Sequence, residues 1–204
     1  MKVLIACEES AAVRDAFSKL GHDATSCDLL PSKTAGKHFV GDVRCILGQA
    51  WDLLIAHPPC TYLSSSGLHW NKRRPERGVQ TEEAVEFARL FIEGCKHIPK
   101  RAVENPVGCL STKVRPPDQI IQPWMFGADA SKATCLWLVG LPPLMPTNYV
   151  KPRLVLHEGK WAMRWANQTD SGQNALGPSE DRWKLRSATY PGIAKAMAEQ
   201  WGVV

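Results

Sequence analysis

The sequence lacks the features that would place this chain in a membrane, in a disulfide framework or around a zinc ion. No apolar run approaches the ~20 residues that a membrane-spanning helix needs, and the opening MKVLIACEES meets two glutamates before it can form the apolar core of a signal peptide. The seven cysteines are an odd number without a CxxC pair, so we expect thiols in a reducing compartment. These absences predict a cytoplasmic protein with no membrane or metal partner, and they leave a monomer as the simplest assembly.

Tyrosine and phenylalanine are scarce, whereas tryptophan and positive charge are abundant. The chain has eight Trp against three Tyr and five Phe, and its net charge is +5. Residues 1–70 hold six Lys/Arg and seven Asp/Glu, but residues 71–204 hold nineteen and thirteen, so the basic excess lies in the later part. Basic residues interleaved with flat rings suit a nucleic acid; the alternative is a Trp-filled core beneath a solvated basic face. The candidate nucleic-acid contacts are Lys72, Arg73, Arg74, Trp165, Arg182 and Arg186.

Short apolar runs alternate with amphipathic stretches from the first residue onward. Residues 3–6, 24–28, 53–56, 101–104 and 134–139 are typical of strands, and 13–20, 81–95 and 191–201 of helices, the second capped by Thr81. This alternation predicts an α/β fold with a mostly parallel sheet and helices on both faces. The length allows one domain and a small satellite. We assign residues 1–140 and 188–204 to the sheet domain and the basic, Trp-rich residues 141–187 to a separate small region.

Polar side chains follow several of these predicted strands, at the edge where ligands bind in open parallel sheets. Cys60 comes just after residues 53–56, behind two stiffening prolines, which is a suitable position for a thiolate nucleophile. The usual role of a lone cysteine is instead that of a small buried hydrophobe. Glu104 ends a second strand and is either a solvated carboxylate or an acid. Together, Cys60 and Glu104 are candidates for the nucleophile and the acid of one pocket.

The segment AHPPCTYLSSSG, residues 56–67, resembles the nucleophile loop of the DNA cytosine-5 methyltransferases. In that family the loop reads Gly-Gly-Pro-Pro-Cys-Gln, an aromatic, Ser, two variable residues and Gly. A Glu-Asn-Val motif follows the loop, and Glu104-Asn105-Pro106 resembles it. Through CEES, HPPCTYLSSSG, AVENP and TYPGIAKAMAEQW, the chain is also similar to a small class of phage and prophage proteins identified as cytosine methyltransferases. For a phage-encoded protein the compartment is the host cytoplasm.

The resemblance implies a Rossmann-like, S-adenosylmethionine-dependent methyltransferase fold in which residues 141–187 are a reduced target-recognition region. It implies S-adenosylmethionine, or a modified form of it, as the cofactor, and duplex or single-stranded DNA as the partner. The implied catalytic residues are Cys60, Glu104, Lys132 and Thr134. The implied cofactor-binding residues are Glu8, Glu9, Ser10, Asp28, Asp42, Pro58, Thr189 and Tyr190. On the substrate side, Pro59 and Asn105 join the basic and Trp residues named above.

The chemistry that the resemblance implies begins with the addition of the Cys60 thiolate at C6 of cytosine. This addition turns the unreactive C5 into an enamine carbon that can attack a methyl sulfonium. Protonation of the base at N3 by Glu104 stabilises the addition. Loss of the C5 proton and elimination of Cys60 complete the turnover, and in a duplex the base must first leave the stack.

Several positions depart from the family pattern and keep other functions open. Glu9, Ser10, Ala11 and Ala12 stand where the family has a glycine-rich turn, Thr61 replaces Gln, and paired arginines near the target base are absent. One alternative is C5 modification of cytosine in a free nucleotide or RNA, and a second is a modified donor. A third is methylation of an amino group on adenine or cytosine, whose Asp/Asn/Ser-Pro-Pro-aromatic motif fits this loop poorly. The last is a nucleic-acid-binding protein without catalysis.

Overall fold

A computed structural model describes residues 1–177, 179 and 188–204, apart from the side chain of Lys72. In the described part of the chain, seven strands form one sheet, and they are β1 Lys2–Ala6, β2 Asp23–Asp28, β3 His38–Val40, β4 Leu53–Ala56, β5 Lys100–Pro106, β6 Gln119–Ile121 and β7 Thr134–Val139. Two further strands, β8 Arg153–His157 and β9 Lys160–Arg164, form a separate hairpin. The helices are α1 Ala12–Lys19, α2 Arg44–Leu47, α3 Ser65–Leu68, α4 Glu76–Ile92, α5 Leu110–Lys113 and α6 Pro191–Trp201, with 3-10 turns at His69–Lys72 and Pro123–Met125.

The order of the strands across the sheet is β3-β2-β1-β4-β5-β7-β6. The first five are parallel to one another, whereas β7 runs antiparallel to β5, and β6 antiparallel to β7. The chain reverses its direction of travel across the sheet between β1 and β4, which is the switch point of a doubly wound fold. The prediction of an α/β fold with a mostly parallel sheet is therefore confirmed, and the architecture is compatible with a Rossmann-like fold.

Helices cover both faces of the sheet because the central strands are apolar on both sides. In β1, Leu4 and Ala6 face one core together with Phe91 of α4, while Val3 and Ile5 face a second core. Helices α1 and α6 close the second core, and they pack against each other. Residue 201, the last of α6, is a fully buried tryptophan, so the end of the chain is part of the fold.

Helix α4 begins earlier than the sequence pattern predicts. Thr81 is not its cap, because the helix starts at Glu76 behind Pro75 and Thr81 lies well inside it. The Thr81 hydroxyl is buried and accepts a hydrogen bond from Asn71 Nδ2 at 2.9 Å. Proline fixes its own φ near the helical value, so Pro75 is a suitable start for a helix without a side-chain cap.

The β8–β9 hairpin lies within the region that the sequence sets apart. Leu154 pairs with Met163, and Leu156 with Trp161, so these four side chains share one face of the hairpin. All four are between 60% and 72% exposed. None of the helices in the described ranges is long and apolar enough to span a bilayer.

Candidate active site

The carboxyl ends of β1, β2, β4 and β5 meet at one edge of the sheet. Ala6 lies in register with Cys27 of β2 and with Ala56 of β4, and Ala56 lies in register with Val103 of β5. The residues that come next along the chain therefore lie side by side at this edge, and they are Cys7, Asp28, His57 and Glu104.

The antiparallel direction of β7 brings a second set of residues to the same edge. Thr134, the first residue of β7, lies opposite Pro106, so Lys132 and Thr134 arrive beside the end of β5. The backbone N–H of Lys132 donates to Gln122 Oε1 at 2.9 Å, which holds the segment that precedes the strand. The sheet thereby joins Glu104, Lys132 and Thr134, three of the four catalytic residues that the resemblance implies.

Glu104 lies at the centre of a buried polar cluster. Its side chain is only 12% exposed, and Oε2 lies 3.0 Å from His57 Nδ1. Burial raises the pKa of Glu104, but the hydrogen bond from His57, the charge of Lys132 and the hydrogen bond from Thr134 outweigh it, so the pKa lies below its ordinary value. The single hydroxyl proton of Thr134 lies within reach of two acceptors, this carboxylate and the Lys132 carbonyl oxygen at 3.1 Å.

The loop that carries Cys60 is tied to the end of β5. Asn105 is buried and donates from Nδ2 to the Pro58 carbonyl oxygen at 2.7 Å. After Cys60 the chain turns, and the N–H groups of Leu63 and Ser64 donate to the Cys60 carbonyl oxygen at 3.1 and 3.0 Å. Pro58 is buried, Pro59 is exposed and Cys60 is partly buried. The loop therefore holds Cys60 at the surface of a fixed turn.

Further contacts that the sequence did not reveal brace this loop. The N–H of Cys109 donates to the Leu63 carbonyl oxygen at 2.9 Å, and a Cβ on Gly108 would lie 1.9 Å from that same oxygen, so only glycine fits there. Arg77 donates to the Thr61 carbonyl oxygen at 3.3 Å, and its guanidinium lies 4.6 Å from the centre of the Tyr62 ring. Of these bracing residues and His57, only His57 had a sequence signal, since it directly follows a buried strand.

The turn after β1 is made without glycine. Cys7 and Ala11 adopt the left-handed region at φ 60° and 62°, where glycine is the residue without a steric cost. Glu8 is 3% exposed, and its carboxylate accepts hydrogen bonds from the N–H groups of Val13 at 2.7 Å and Arg14 at 3.2 Å. A side chain of the protein itself therefore neutralises the positive end of α1.

Asp28 and Asp42 lie close to Cys7. Burial, and then the charges of Asp28 and Asp42, raise the pKa of the Cys7 thiol far above its ordinary value. Asp28 Oδ1 accepts a hydrogen bond from the N–H of Leu30 at 3.0 Å. Asp42 accepts from Arg44 N at 2.9 Å and Nη1 at 3.0 Å, and the backbone bond is the main cause of its lowered pKa. Asp28 and Asp42, two acidic residues that were predicted to bind the cofactor, therefore lie near Cys7 at the same edge of the sheet.

The other predicted cofactor residues have clear places in the fold. Glu9 lies 3.6 Å from Lys33, and Ser10 Oγ accepts a weak hydrogen bond from the N–H of Ala12 at 3.4 Å. Thr189 is partly buried, as is Tyr190, which packs on the core of α1 and α6 and whose pKa burial raises. These four residues belong to the turns after β1 and before α6.

A groove runs along α4. One part, of about 550 Å³, is lined by Arg44, Glu83, Glu86, Phe87 and Leu90. A second part, of about 300 Å³, is lined by Pro59, Tyr62, Gln80, Glu83, Ala84 and Phe87. Glu83 and Phe87 line both parts, so the two parts adjoin, and Pro59 of the loop that carries Cys60 lines the second.

Three of the predicted nucleic-acid contacts, Arg73, Arg74 and Trp165, belong to the described residues. Arg73 and Arg74 are exposed, and the Arg73 guanidinium lies 5.4 Å from the Trp70 ring. Trp165 stacks on Trp124 with ring centroids 5.5 Å apart and planes 16° from parallel, so it fixes the small region to the sheet domain. Arg182, Arg186 and the side chain of Lys72 lie outside the described residues.

Comparison with known proteins does not assign the chain to a family. No protein-family model matches the sequence, and no curated protein matches it. Within residues 1–177, 179 and 188–204, no group of three or more His, Cys, Asp or Glu side chains is arranged to hold a metal ion.

Proposed function

We propose that this protein transfers a methyl or related one-carbon-derived group from S-adenosylmethionine, or a close relative of it, to C5 of cytosine in DNA. One observation carries the proposal: the Pro-Pro-Cys loop and the Glu-Asn pair are joined by side chains at one edge of the sheet. Asn105 bonds to Pro58 at 2.7 Å, and His57 bonds to Glu104 at 3.0 Å. The nucleophile and the acid of the proposed reaction come from these two segments.

The residues at this edge support separate roles in the reaction. Cys60 lies on a braced turn and supplies the thiolate that adds at C6. Glu104 faces Nδ1 of His57 and the cation of Lys132, so it accepts hydrogen bonds as a carboxylate and donates one to N3 when it carries a proton. Thr134 and Asn105 orient the acid and the loop, and their burial keeps both in one conformation.

The polar groups at the other end of the edge fit the nucleoside part of the donor. When bound, S-adenosylmethionine supplies an electrophilic carbon on a positively charged sulfur. Asp28 is the last residue of β2, where an acidic residue holds ribose hydroxyls in nucleotide-binding folds, and the groove along α4 is lined by Pro59 and by Arg44, the hydrogen-bond partner of Asp42. The N-terminus of α1 does not fit a donor carboxylate, because Glu8 already accepts the amides of Val13 and Arg14. This disagreement favours a donor, or a pose, different from the family's.

DNA as the substrate rests on charge and on the small target-recognition region. The basic excess of residues 71–204 supports contacts with phosphates. Single DNA-binding modules bury at least ~600 Å² of protein surface, so a region as small as residues 141–187 supports only modest sequence selectivity. Arg73 and Arg74 are available for backbone contacts, since both are exposed.

Covalent trapping tests this proposal directly. DNA that contains 5-fluorocytosine has no C5 proton to lose, so the wild-type protein and donor are expected to form an adduct that survives denaturation. Cys60→Ser should form none. Cys45→Ser, which changes an exposed thiol, should trap as the wild type does. The mass added to cytosine in DNA, measured on its nucleosides, identifies the transferred group. Turnover of free dCMP with unmodified DNA would instead support the nucleotide substrate.

A second candidate is nucleic-acid binding without catalysis, and the occupation of the α1 amides by Glu8 favours it. Calorimetry separates the two functions. Binding of S-adenosylmethionine, its demethylated product or a modified donor supports the enzyme. Binding of DNA with no binding of any of these three supports the second candidate.

A further inference from the structure

His57 is held rigidly between β1 and Glu104. Its backbone N–H donates to the Ala6 carbonyl oxygen at 2.9 Å, and its side chain is nine-tenths buried. Nδ1 lies 3.0 Å from Glu104 Oε2, and because an ionised carboxylate only accepts, Nδ1 carries the proton. The second ring nitrogen, Nε2, is also buried and has no hydrogen-bond partner among the described residues.

The surroundings of Glu104 create a difficulty for its proposed role. A group that protonates N3 must itself be neutral, yet Lys132, Thr134 and His57 all favour the ionised carboxylate. Cys135, another titratable group beside the cluster, is kept neutral because burial and the charge of Glu104 raise its pKa. Of these groups, His57 contacts Glu104 directly and has two ring nitrogens, so it can take up a proton on one nitrogen and pass a proton from the other.

We propose that His57 is a positioning residue that loads Glu104 with the proton for the target base. This inference rests on the proposed function. A proton from solvent binds Nε2, and the proton on Nδ1 then passes to the Glu104 carboxylate, which leaves His57 neutral as its other tautomer. The neutral carboxyl donates that proton to N3 as the Cys60 sulfur bonds to C6. When the adduct collapses, N3 returns this proton to the Glu104 carboxylate, so the pair is again in its loaded form, with a neutral carboxyl and the His57 proton on Nε2.

The proposed role of His57 depends on a residue that the resembled loop does not have. The loop that it resembles carries glycine where His57 stands, and glycine can neither orient a carboxylate nor carry a proton. The resemblance therefore implies no such relay. The unpartnered Nε2 is the nitrogen at which the pair takes up its proton, and its burial limits exchange to solvent that reaches the site.

Nitrogen NMR on protein with ¹⁵N-labelled histidine tests the relay without any activity. We expect the His57 ring to change its protonation or tautomer between pH 5 and 9, and we expect the midpoint to move to lower pH in Glu104→Gln, which removes the facing negative charge. The signals of His97, which contacts the Leu47 carbonyl oxygen at 2.8 Å, should not move in that variant. A His57 ring that stays in one neutral tautomer throughout would overturn the relay.

The pH dependence of transfer provides the second test. Transfer requires the proton held by the pair, so the wild-type rate should fall as the pH rises through the apparent pKa of the pair. In His57→Asn, which keeps a donor to Glu104, this fall should begin at least one pH unit lower and the maximal rate should drop on the order of 100-fold. Imidazole should restore part of the rate in His57→Gly, and His97→Asn should keep the wild-type profile.

These measurements separate the two proposals. If the wild-type protein forms no 5-fluorocytosine adduct, the proposed function fails, and the NMR titration still decides whether His57 and Glu104 share a proton. If the adduct forms but His57→Asn keeps the wild-type rate and profile, the relay is wrong and the proposed function stands.

Discussion

Asn105 Nδ2 donates a hydrogen bond to the carbonyl oxygen of Pro58 across 2.7 Å, and this bond links segments that lie 47 residues apart in the chain. Pro58 precedes the exposed Pro59 and Cys60, so the amide fixes the approach to the proposed nucleophile. The Asn105 side-chain oxygen is buried and has no partner within the described residues. The bond connects the two sheet-edge segments from which the proposed site is built.

Asn105→Ala should weaken both the fold and the proposed reaction. It leaves the buried Pro58 carbonyl without its donor, which costs about 1–3 kcal/mol, and urea denaturation measures this loss. We expect the rate of 5-fluorocytosine trapping to fall as well, because Cys60 loses its fixed approach. Asn105→Asp should lower stability and trapping at least as much, since it places a carboxylate oxygen against the Pro58 carbonyl oxygen. Unchanged trapping in both variants would show that the Asn105 amide has no part in the reaction.

Gly108→Ala should displace the nucleophile loop. The new Cβ would lie 1.9 Å from the Leu63 carbonyl oxygen, a backbone atom that cannot move alone. We expect a loss of stability on the order of 1–3 kcal/mol. Gly78→Ala is the matched control, because this helical glycine meets nothing within 4 Å and alanine stabilises a helix by roughly 0.5–1 kcal/mol. Thermal unfolding of both variants should therefore shift in opposite directions.

Glu8→Gln should destabilise the start of α1 far more than Glu9→Gln does. Glu8 is buried and its charged carboxylate accepts two helix N–H groups, so we expect a loss of about 1–2 kcal/mol. Glu9 forms only a 3.6 Å pair with the exposed Lys33, and such pairs contribute about 0–1 kcal/mol. Urea midpoints compare the two. Equal losses would mean that Glu8 is not the residue that caps the helix.

Acid should remove a stabilising contribution of Glu104. Its folded pKa lies below the unfolded value of about 4.3. The contribution is therefore fully present above that unfolded value and is lost as the pH falls through the folded pKa. In Glu104→Gln, the free energy of unfolding should decline less steeply between pH 5 and 3 than in the wild type. Glu158→Gln, at an exposed position, should follow the wild-type curve; a wild-type slope in Glu104→Gln would contradict the lowered pKa.

Arg182 and Arg186 should bind phosphates without reading sequence. Changing both to Ala should weaken DNA binding equally across sequences and make the slope of log K against log salt shallower by about 2 units. The control changes Lys19 and Lys96 to Ala, because α1 ends at the opposite edge of the sheet and residue 96 precedes β5. Filter binding at several salt concentrations measures both slopes. A slope that changes only in the control would contradict the assignment of phosphate contacts to Arg182 and Arg186.

The parts of the fold that could be predicted are those with continuous local patterns. Residues 53–56, 134–139 and 191–201 have the predicted bounds, because apolar runs and a helical stripe are properties of neighbouring residues. The direction of β7 could not be read from its apolar run, and it is this direction that brings Lys132 to Glu104. The β8–β9 hairpin was missed because its apolar side chains face outward, so burial gives no clue to their alternation.

The same distinction, between local patterns and pairings of distant segments, applies to the proposed site. Cys60 and Glu104 were identifiable because Cys60 follows one predicted strand and Glu104 ends another, and the structure brings their segments together. The pairing of His57 with Glu104 depends on the register of β4 and β5, and no local pattern encodes a register between strands so far apart in sequence. Glu8 was predicted to bind the cofactor, whereas the described contacts of its carboxylate are with Ser10 and with the N–H groups of α1 five and six residues further along the chain.

The strands β3 and β6, at the two margins of the sheet, are three residues long each. A strand from another molecule could pair with only three residues at either margin, and so short a ladder is marginal in water. Concentrated solutions of this protein should therefore not polymerise by adding strands to the sheet. Self-association would instead use side chains, and the exposed apolar face of the hairpin is the surface for it, formed by Leu154, Leu156, Trp161 and Met163. Detergent, or polar substitutions on this face, should therefore reduce self-association.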